Sequence, residues 1–454
     1  MRGKTEKQDR RVYLTETPLP KLICTLAVPT IISMLVTAVY NAADTYFVGR
    51  ISTQATAAVG LVFSVMAIIQ AIGFFCGQGS GNYLSRLLGA DDRQKANEIA
   101  VTGFAMALVF GLCVAVFGNV FALPLARLLG AADTTLPDTL AYLRIILIGA
   151  PFMMCQCVIN NQLRFQGSAM YAMVGLMCGA VINIGLDPLL IFVFHLGVPG
   201  AAIATVCGQI IGFIVLLIGS FHGENIRLHP KNLRADWDNI LQIMNGGLPS
   251  LVRQGMAAIS VVLLNRYANA YGGDAAIAGM SIVTRSMQLL SSALIGFGQG
   301  YQPVCSFNYG AKRFDRVRDG FFFCVKYGTV LMALASALCL LFPERIVAFF
   351  RNDPAVISVG VPALRWQAAA LPLMATSVLT NMMLQASGQG LRSTITSSAR
   401  NGIFFIPLIL TLPPLLGLRG VEMTQAIADV LSFLLCVPFA AASLKRMEKT
   451  EQTQ

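Results

Sequence analysis

Charge is scarce in this sequence. Only 12% of its 454 residues are Asp, Glu, Lys or Arg, about half the share found in soluble globular domains. Together with 56% hydrophobic residues and a mean hydropathy of +0.67, this excludes an ordinary soluble fold and a protein held by one anchor. The chain reads as a polytopic membrane protein. Histidine is scarcer still, limited to His195, His222 and His229. All three fall at span ends or in loops, without HExxH-like spacing, so a membrane-embedded hydrolase lacks its parts. No cleavable signal-peptide pattern is expected, because the basic N-terminus runs into a long apolar segment without a small-residue cleavage site. A disulfide framework is also missing. The eleven cysteines are spread singly through apolar segments, as small packing residues are. Cys155-x-Cys157, the one close pair, matches no metal signature.

What is abundant is long apolar runs. A membrane-spanning helix needs about 20 apolar residues, and charged breaks leave twelve such segments. They run over 21–48, 54–80, 96–118, 138–160, 168–194, 199–221, 239–268, 276–300, 320–342, 358–385, 392–413 and 419–443. Longer loops are expected only at 81–95, 119–137, 222–238 and 301–319.

Lys and Arg are divided unequally between the two sets of loops. One set holds Arg2, Lys4, Lys7, Arg10, Arg11 and Lys21, and then Arg86, Arg93, Lys95, Arg164, Arg227, Lys231, Arg234, Lys312, Arg313, Arg316, Arg318, Arg392, Lys445, Arg446 and Lys449. The other holds only Arg50, Arg127, Arg345, Arg351 and Arg419. The positive-inside bias places both termini in the cytoplasm, which requires an even number of spans. The formal net charge of +11 is mostly this bias, so no nucleic acid partner is needed to explain it.

The chain also repeats itself with a shift of 219–221 positions. Ala27-Val-Pro29-Thr30 matches Gly247-Leu-Pro249-Ser250, and Gly77-Gln78-Gly79 matches Gly298-Gln299-Gly300. Asn160 matches Asn381, and Gly167 matches Gly388. Six spans per half make the repeats parallel, a plan used by alternating-access carriers. The expected domains are a cytoplasmic segment 1–20, a six-helix bundle 21–221, a cytoplasmic linker 222–238, a second six-helix bundle 239–444 and a cytoplasmic tail 445–454. The fold class is all-α, with twelve transmembrane helices in two pseudo-symmetric bundles.

Acids within or near the ends of spans are limited to Asp44, Asp187, Glu422 and Asp429. An ionisable group in hydrocarbon is costly, by roughly 2.5–3.5 kcal/mol or more, and marks function. Tyr40, Asn41 and Asp44 share one sector of the first helix, and Asn183 and Asp187 are spaced i, i+4 on the fifth. Thr205 lies about one turn inside the sixth, and Asn160 ends the fourth. Pro29 removes a backbone hydrogen bond and should kink the first helix. Two carboxylates sharing a low-dielectric site titrate as a coupled pair, which suits a proton carrier. The same oxygens with Asn and Thr also suit Na+. The second half has Leu264 and Asn265 where Asp44 would fall. Its embedded ionisable residues are mostly basic: Arg253, Arg285, Lys326, Arg365 and Arg400. Arg400 and Asp429, near mid-depth of consecutive helices, are expected to pair.

The run AVPTIISMLVTAVYNAADTYFVGR, the segment INIGLDPLLIF and the doubled Gly-Gln-Gly with its Gly-Ala loop resemble the multidrug and toxic compound extrusion (MATE) transporters. The likeness is closest to their bacterial DinF-like/MepA-like branch and spans about 18–445. The resemblance implies two six-helix bundles in the bacterial cytoplasmic membrane and export of amphipathic, often cationic drugs in exchange for H+ or Na+. It implies ion coupling at Asp44, Asn183, Asp187 and Thr205, with Tyr40 and Asn160 at neighbouring polar positions and a bend at Pro29. The same four residues would be the metal ligands if the ion is Na+. The NorM-like branch, with acids in its seventh and tenth helices, is not matched: Arg253 and Gln254 stand in the seventh and the tenth has none.

Asn160, Asn41, Met34, Phe63 and Phe152 are the expected lining of the substrate cleft. No cofactor beyond the coupling ion is expected, and the protein is read as a monomer in the lipid bilayer and not as an enzyme. The alternative is a flippase for lipid-linked oligosaccharides or polyprenyl phosphates, which would place Arg253, Arg285 and Arg400 in its cleft. A channel fits less well, because mid-membrane acids occur in one half only.

Overall fold

The computed structural model describes residues 11–223, 225–234 and 236–452. The basic residues Arg2, Lys4, Lys7 and Arg10 lie outside the described residues. Among the described residues all regular structure is helical. The first half holds α1 (Leu19–Gly49), α2 (Thr53–Gly89), α3 (Arg93–Val120), the short α4 (Ala122–Leu128), α5 (Leu136–Phe165), α6 (Ala169–Pro188) and α7 (Gly197–Ser220). The second holds α8 (Trp237–Gly310), α9 (Phe314–Leu341), the short α10 (Pro343–Phe350), α11 (Pro354–Ala386), α12 (Gly390–Ser398), α13 (Phe405–Leu416) and α14 (Leu418–Gln452). A π-helical turn, Leu189–Val193, extends α6, and another, Ala399–Ile403, joins α12 to α13.

The helix α8 has 74 residues. At 1.5 Å per residue it would be about 110 Å long, far beyond a hydrocarbon core of about 30 Å. It is two helices broken at Gly273, whose φ of 63° and ψ of −155° no other residue type adopts readily. Eleven described helices are long and apolar enough to cross a membrane when α8 is counted once, so its two parts make twelve.

The repeat seen in the sequence is present in the elements. The helix pairs α3 and α9, α4 and α10, and α6 and α12 start at 93 and 314, 122 and 343, and 169 and 390, each 221 residues apart. Both α4 and α10 form where loops were expected. α2 and α8 also run on to Gly89 and Gly310, into segments read as loops. Polarity does not stop them, because side-chain amides there donate to the helix's own backbone. Asn82 donates to the Gln78 carbonyl at 2.8 Å, and Asn308 to that of Val304 at 2.8 Å. The stops come two residues later, where Asp91 and Lys312 take positive φ values of 65° and 59°.

Two compact units emerge. One contains 11–16 and 28–247, the other 17–27 and 248–452. Bundles 21–221 and 239–444 follow chain order, whereas the compact units follow packing. α1 changes unit between Ala27 and Val28, and α8 between Gly247 and Leu248. Each change falls immediately before a Val-Pro or Leu-Pro step, at Pro29 and Pro249. α1 remains helical through Pro29. The linker after α7 packs within the first unit: Ile226 donates its backbone N–H to Gln166 at 2.7 Å, and Arg234 pairs with Glu98 at 3.4 Å.

In each unit an asparagine ties consecutive helices. Asn160 donates to the Ala172 carbonyl at 3.0 Å, and Asn381 to the Ser393 carbonyl at 2.7 Å. Both partners are 221 positions apart, so the tie is part of the duplicated design. α6 and α7 approach closely because neither has a side chain at the crossing. A Cβ on Gly179 would stand 2.7 Å from the Gly208 carbonyl oxygen. Small residues at such crossings are how membrane helices pack.

Candidate functional site

The Gly179–Gly208 crossing sets the geometry of the first unit's polar centre. One turn beyond it on α6, Asn183 faces Thr205 of α7, and its Nδ2 donates to Thr205 Oγ1 at 3.4 Å. Another turn on lies Asp187, just before Pro188 and the π-helical turn. Asp187 is fully buried, and Asn183 and Thr205 nearly so. Asp44 comes in from α1, close enough to interact electrostatically with Asp187, and Tyr40 interacts with both acids. Four residues expected from the sequence to act together, and Tyr40 with them, are thus brought together. Asn41 lies half-buried on the same helix.

The centre is defined by what its atoms lack. Both carboxylate oxygens of Asp187, Oδ1 of Asp44 and Oδ1 of Asn183 are buried without a hydrogen-bond partner. Leaving buried acceptors unmade costs about 1–3 kcal/mol each, more when charged. Four such acceptors from α1 and α6 form an oxygen-rich set with no donor supplied by the protein. That arrangement suits either protons on the carboxylates or a hard cation held by oxygens. It does not suit a transition metal: among the described residues no group of three His, Cys, Asp or Glu could hold a metal ion.

Tyr142 of α5 was not anticipated. It is fully buried, lies against Thr205, and interacts electrostatically with Asp44, Tyr40 and Asp187, yet its hydroxyl makes no hydrogen bond of normal geometry. A signal existed in the repeat, since the corresponding residue of the second half is Ala363.

Asn160, Phe152, Phe63 and Met34, expected to line a substrate cleft, are not members of this polar centre. Asn160 makes the helix tie to Ala172, roughly 22 Å along α6 from Asp187. Phe152 belongs to an apolar groove of about 440 Å³ among α3, α5 and α7, where its ring meets that of Phe213 edge-on at 6.0 Å. Phe63 is exposed and Met34 half-buried.

Among the described residues the second unit has no equivalent centre. Arg400, in the π-helical turn, forms two hydrogen bonds to Asp429 of α14, at 2.6 and 3.3 Å. Gln425 adds a third at 3.0 Å. This expected pair leaves neither charge free. Arg285 is exposed.

Comparison with known proteins agrees with this arrangement. The MatE family model matches twice, over 29–189 and 249–411, two segments starting 220 residues apart. The multidrug export protein MepA of Staphylococcus haemolyticus (strain JCSC1435) is 29% identical over 441 residues, covering 97% of both chains. A MATE crystal structure in the bent conformation superposes with a TM-score of 0.91 at 25% identity, covering 97% of this chain and 98% of the other. An outward-facing multidrug resistance MATE transporter of the MOP superfamily superposes with a TM-score of 0.90 at 25% identity, covering 96% and 98%. A duplicated twelve-helix membrane fold that matches one family model in both halves, over well over half its length, leaves one assignment: the chain belongs to the MATE family of multidrug efflux transporters, which are not enzymes.

Proposed function

We propose that this protein exports amphipathic, often cationic organic compounds in exchange for H+ or Na+ by alternating access, with both termini in the cytoplasm of a bacterial cell. The observation that carries the coupling site is the set of four unpartnered buried oxygens on Asp44, Asn183 and Asp187. With no ion, two acids oppose each other across α1 and α6. Protonation turns a carboxylate oxygen into a donor that a neighbouring oxygen accepts. Sodium would instead bridge those oxygens with Thr205 Oγ1. Either way the ion relieves repulsion and draws α1 toward α6. Coupling then follows if one conformation binds the ion more tightly than the other, since differential affinity is the source of any population shift. Pro29 supplies a point on α1 where bending disrupts the fewest backbone hydrogen bonds.

The test is transport in proteoliposomes under an imposed pH or Na+ gradient. Asp44→Asn and Asp187→Asn should each abolish gradient-driven export while the protein still folds. Full activity in both variants would remove the coupling site. The flippase reading loses one of its three arginines, Arg400, which is already occupied by Asp429.

A further inference from the structure

Arg253 has no role in the coupling centre, yet its position is as costly as that of the acids. It lies on the first part of α8, Trp237 to Gly272, about 24 Å from one end and about 28 Å from the other. Whichever 30 Å of that helix is in hydrocarbon, Arg253 is inside it. It is also on the inward face. Ser250 before it and Ser260 after it, at i−3 and i+7, are both buried. Gln385 of α11 donates to the Ser250 hydroxyl at 3.0 Å, and Ser260 donates to the Asn401 carbonyl in the π-helical turn. Met256, one turn along, covers Gly402. The seam between α8 and its neighbours in the second unit is therefore closed by polar contacts on both sides of Arg253.

Arg253 itself is half-buried and, among the described residues, makes no hydrogen bond, ion pair or electrostatic contact with a carboxylate. Its five N–H donors are unused. The fold does not demand it: the same register in the first half is Ser33, which satisfies itself by donating to the Pro29 carbonyl at 2.8 Å. Arg400, the other arginine of this region, is neutralised by Asp429 at 2.6 Å. An uncompensated guanidinium at this depth, with its fork geometry, matches a carboxylate.

Resting on the export reading above, we propose that Arg253 is a subsite for an anionic group of the transported compound, and so sets this chain's preference among substrates that differ in a carboxylate. The first unit then handles the coupling ion with oxygens, and the second reads the substrate's negative end with a guanidinium.

The experiment compares two dyes on the full-length protein in nanodiscs: rhodamine B, which carries a free carboxylate, and its ethyl ester, which does not. Binding is read by fluorescence polarisation without any ion gradient. Arg253→Gln should weaken rhodamine B by about tenfold, the worth of one charge-assisted hydrogen bond, and leave the ester unchanged. Arg253→Lys should keep most of the preference. Ester binding reports that each variant is folded. Equal loss of both dyes, or no loss of either, would overturn the proposal. So would a wild type that treats the dyes alike and responds to chloride instead, the behaviour of an inorganic-anion site. Asp44→Asn in the same assay should leave the dye contrast intact, so failure of ion coupling and failure of the anion subsite are separately visible.

Discussion

Asn183 donates its amide to the hydroxyl of Thr205 at 3.4 Å, while its own carbonyl oxygen, also buried, receives nothing. The amide orientation is thereby fixed, with its acceptor end left without a donor. Thr205→Val removes the group that fixes that orientation without changing side-chain volume much. The expected result is export slowed by roughly tenfold, as for loss of one positioning hydrogen bond, with a raised half-saturating concentration of the coupling ion. Initial rates against ion concentration measure both.

Tyr142→Phe should separate ion binding from folding. The hydroxyl is buried and unpartnered, so deleting it relieves a desolvation cost of about 1–3 kcal/mol. Thermal unfolding in detergent without coupling ion should show a stability equal to or above wild type. Ion-dependent export should fall if the hydroxyl completes the bound state. Loss of stability with export unchanged would show that the tyrosine is only packing.

Gly179→Val places a branched side chain against the Gly208 carbonyl, where even a Cβ would be at 2.7 Å. Overpacking of this kind costs about 1–3 kcal/mol. It also moves Asn183 away from Thr205, so export should fall further than the stability loss explains. Gly185→Ala on the same helix, where a Cβ meets nothing within 4 Å, is the control expected to behave as wild type.

The Arg400–Asp429 pair gives a prediction of opposite character. Removing one partner leaves a largely buried charge alone, which costs about 3–5 kcal/mol. Arg400→Met and Asp429→Leu should each lower the unfolding temperature. The double variant should recover most of the loss, because replacing both ions by apolar groups is often neutral. A double-mutant cycle in detergent reads this directly.

How far the sequence reaches differs between elements. The spans, the duplication and the acids were legible because hydrocarbon penalises every exception: Asp44 and Asp187 stand out against an apolar background. Helical spacing grouped Asn183 with Asp187, whereas the joining of Asp44 and Thr205 to them was implied by the family resemblance. Tyr142 was missed because a tyrosine near other apolar residues gives no such contrast, and only comparison with Ala363 exposes it. Asn160 and Phe152 illustrate the reverse. Each has the right chemistry for a cleft, but depth and facing are set by tertiary packing, and what the structure adds is their neighbours: the tie with Ala172 for one and the Phe213 ring for the other. The helix ends were misjudged where Asn82 and Asn308 bond to their own backbones, since polar composition there does not mean a loop.

The threading of α1 and α8 bears on how the molecule is made. Residues 17–27 complete the unit built mainly from the later part of the chain, and 237–247 complete the unit built mainly from the earlier part. Neither unit is whole until translation has passed Gly247 or, for the other, nearly reached the end. A gene cut within the linker would yield two fragments that each lack a helical segment held by the other, so they should mature only when produced together.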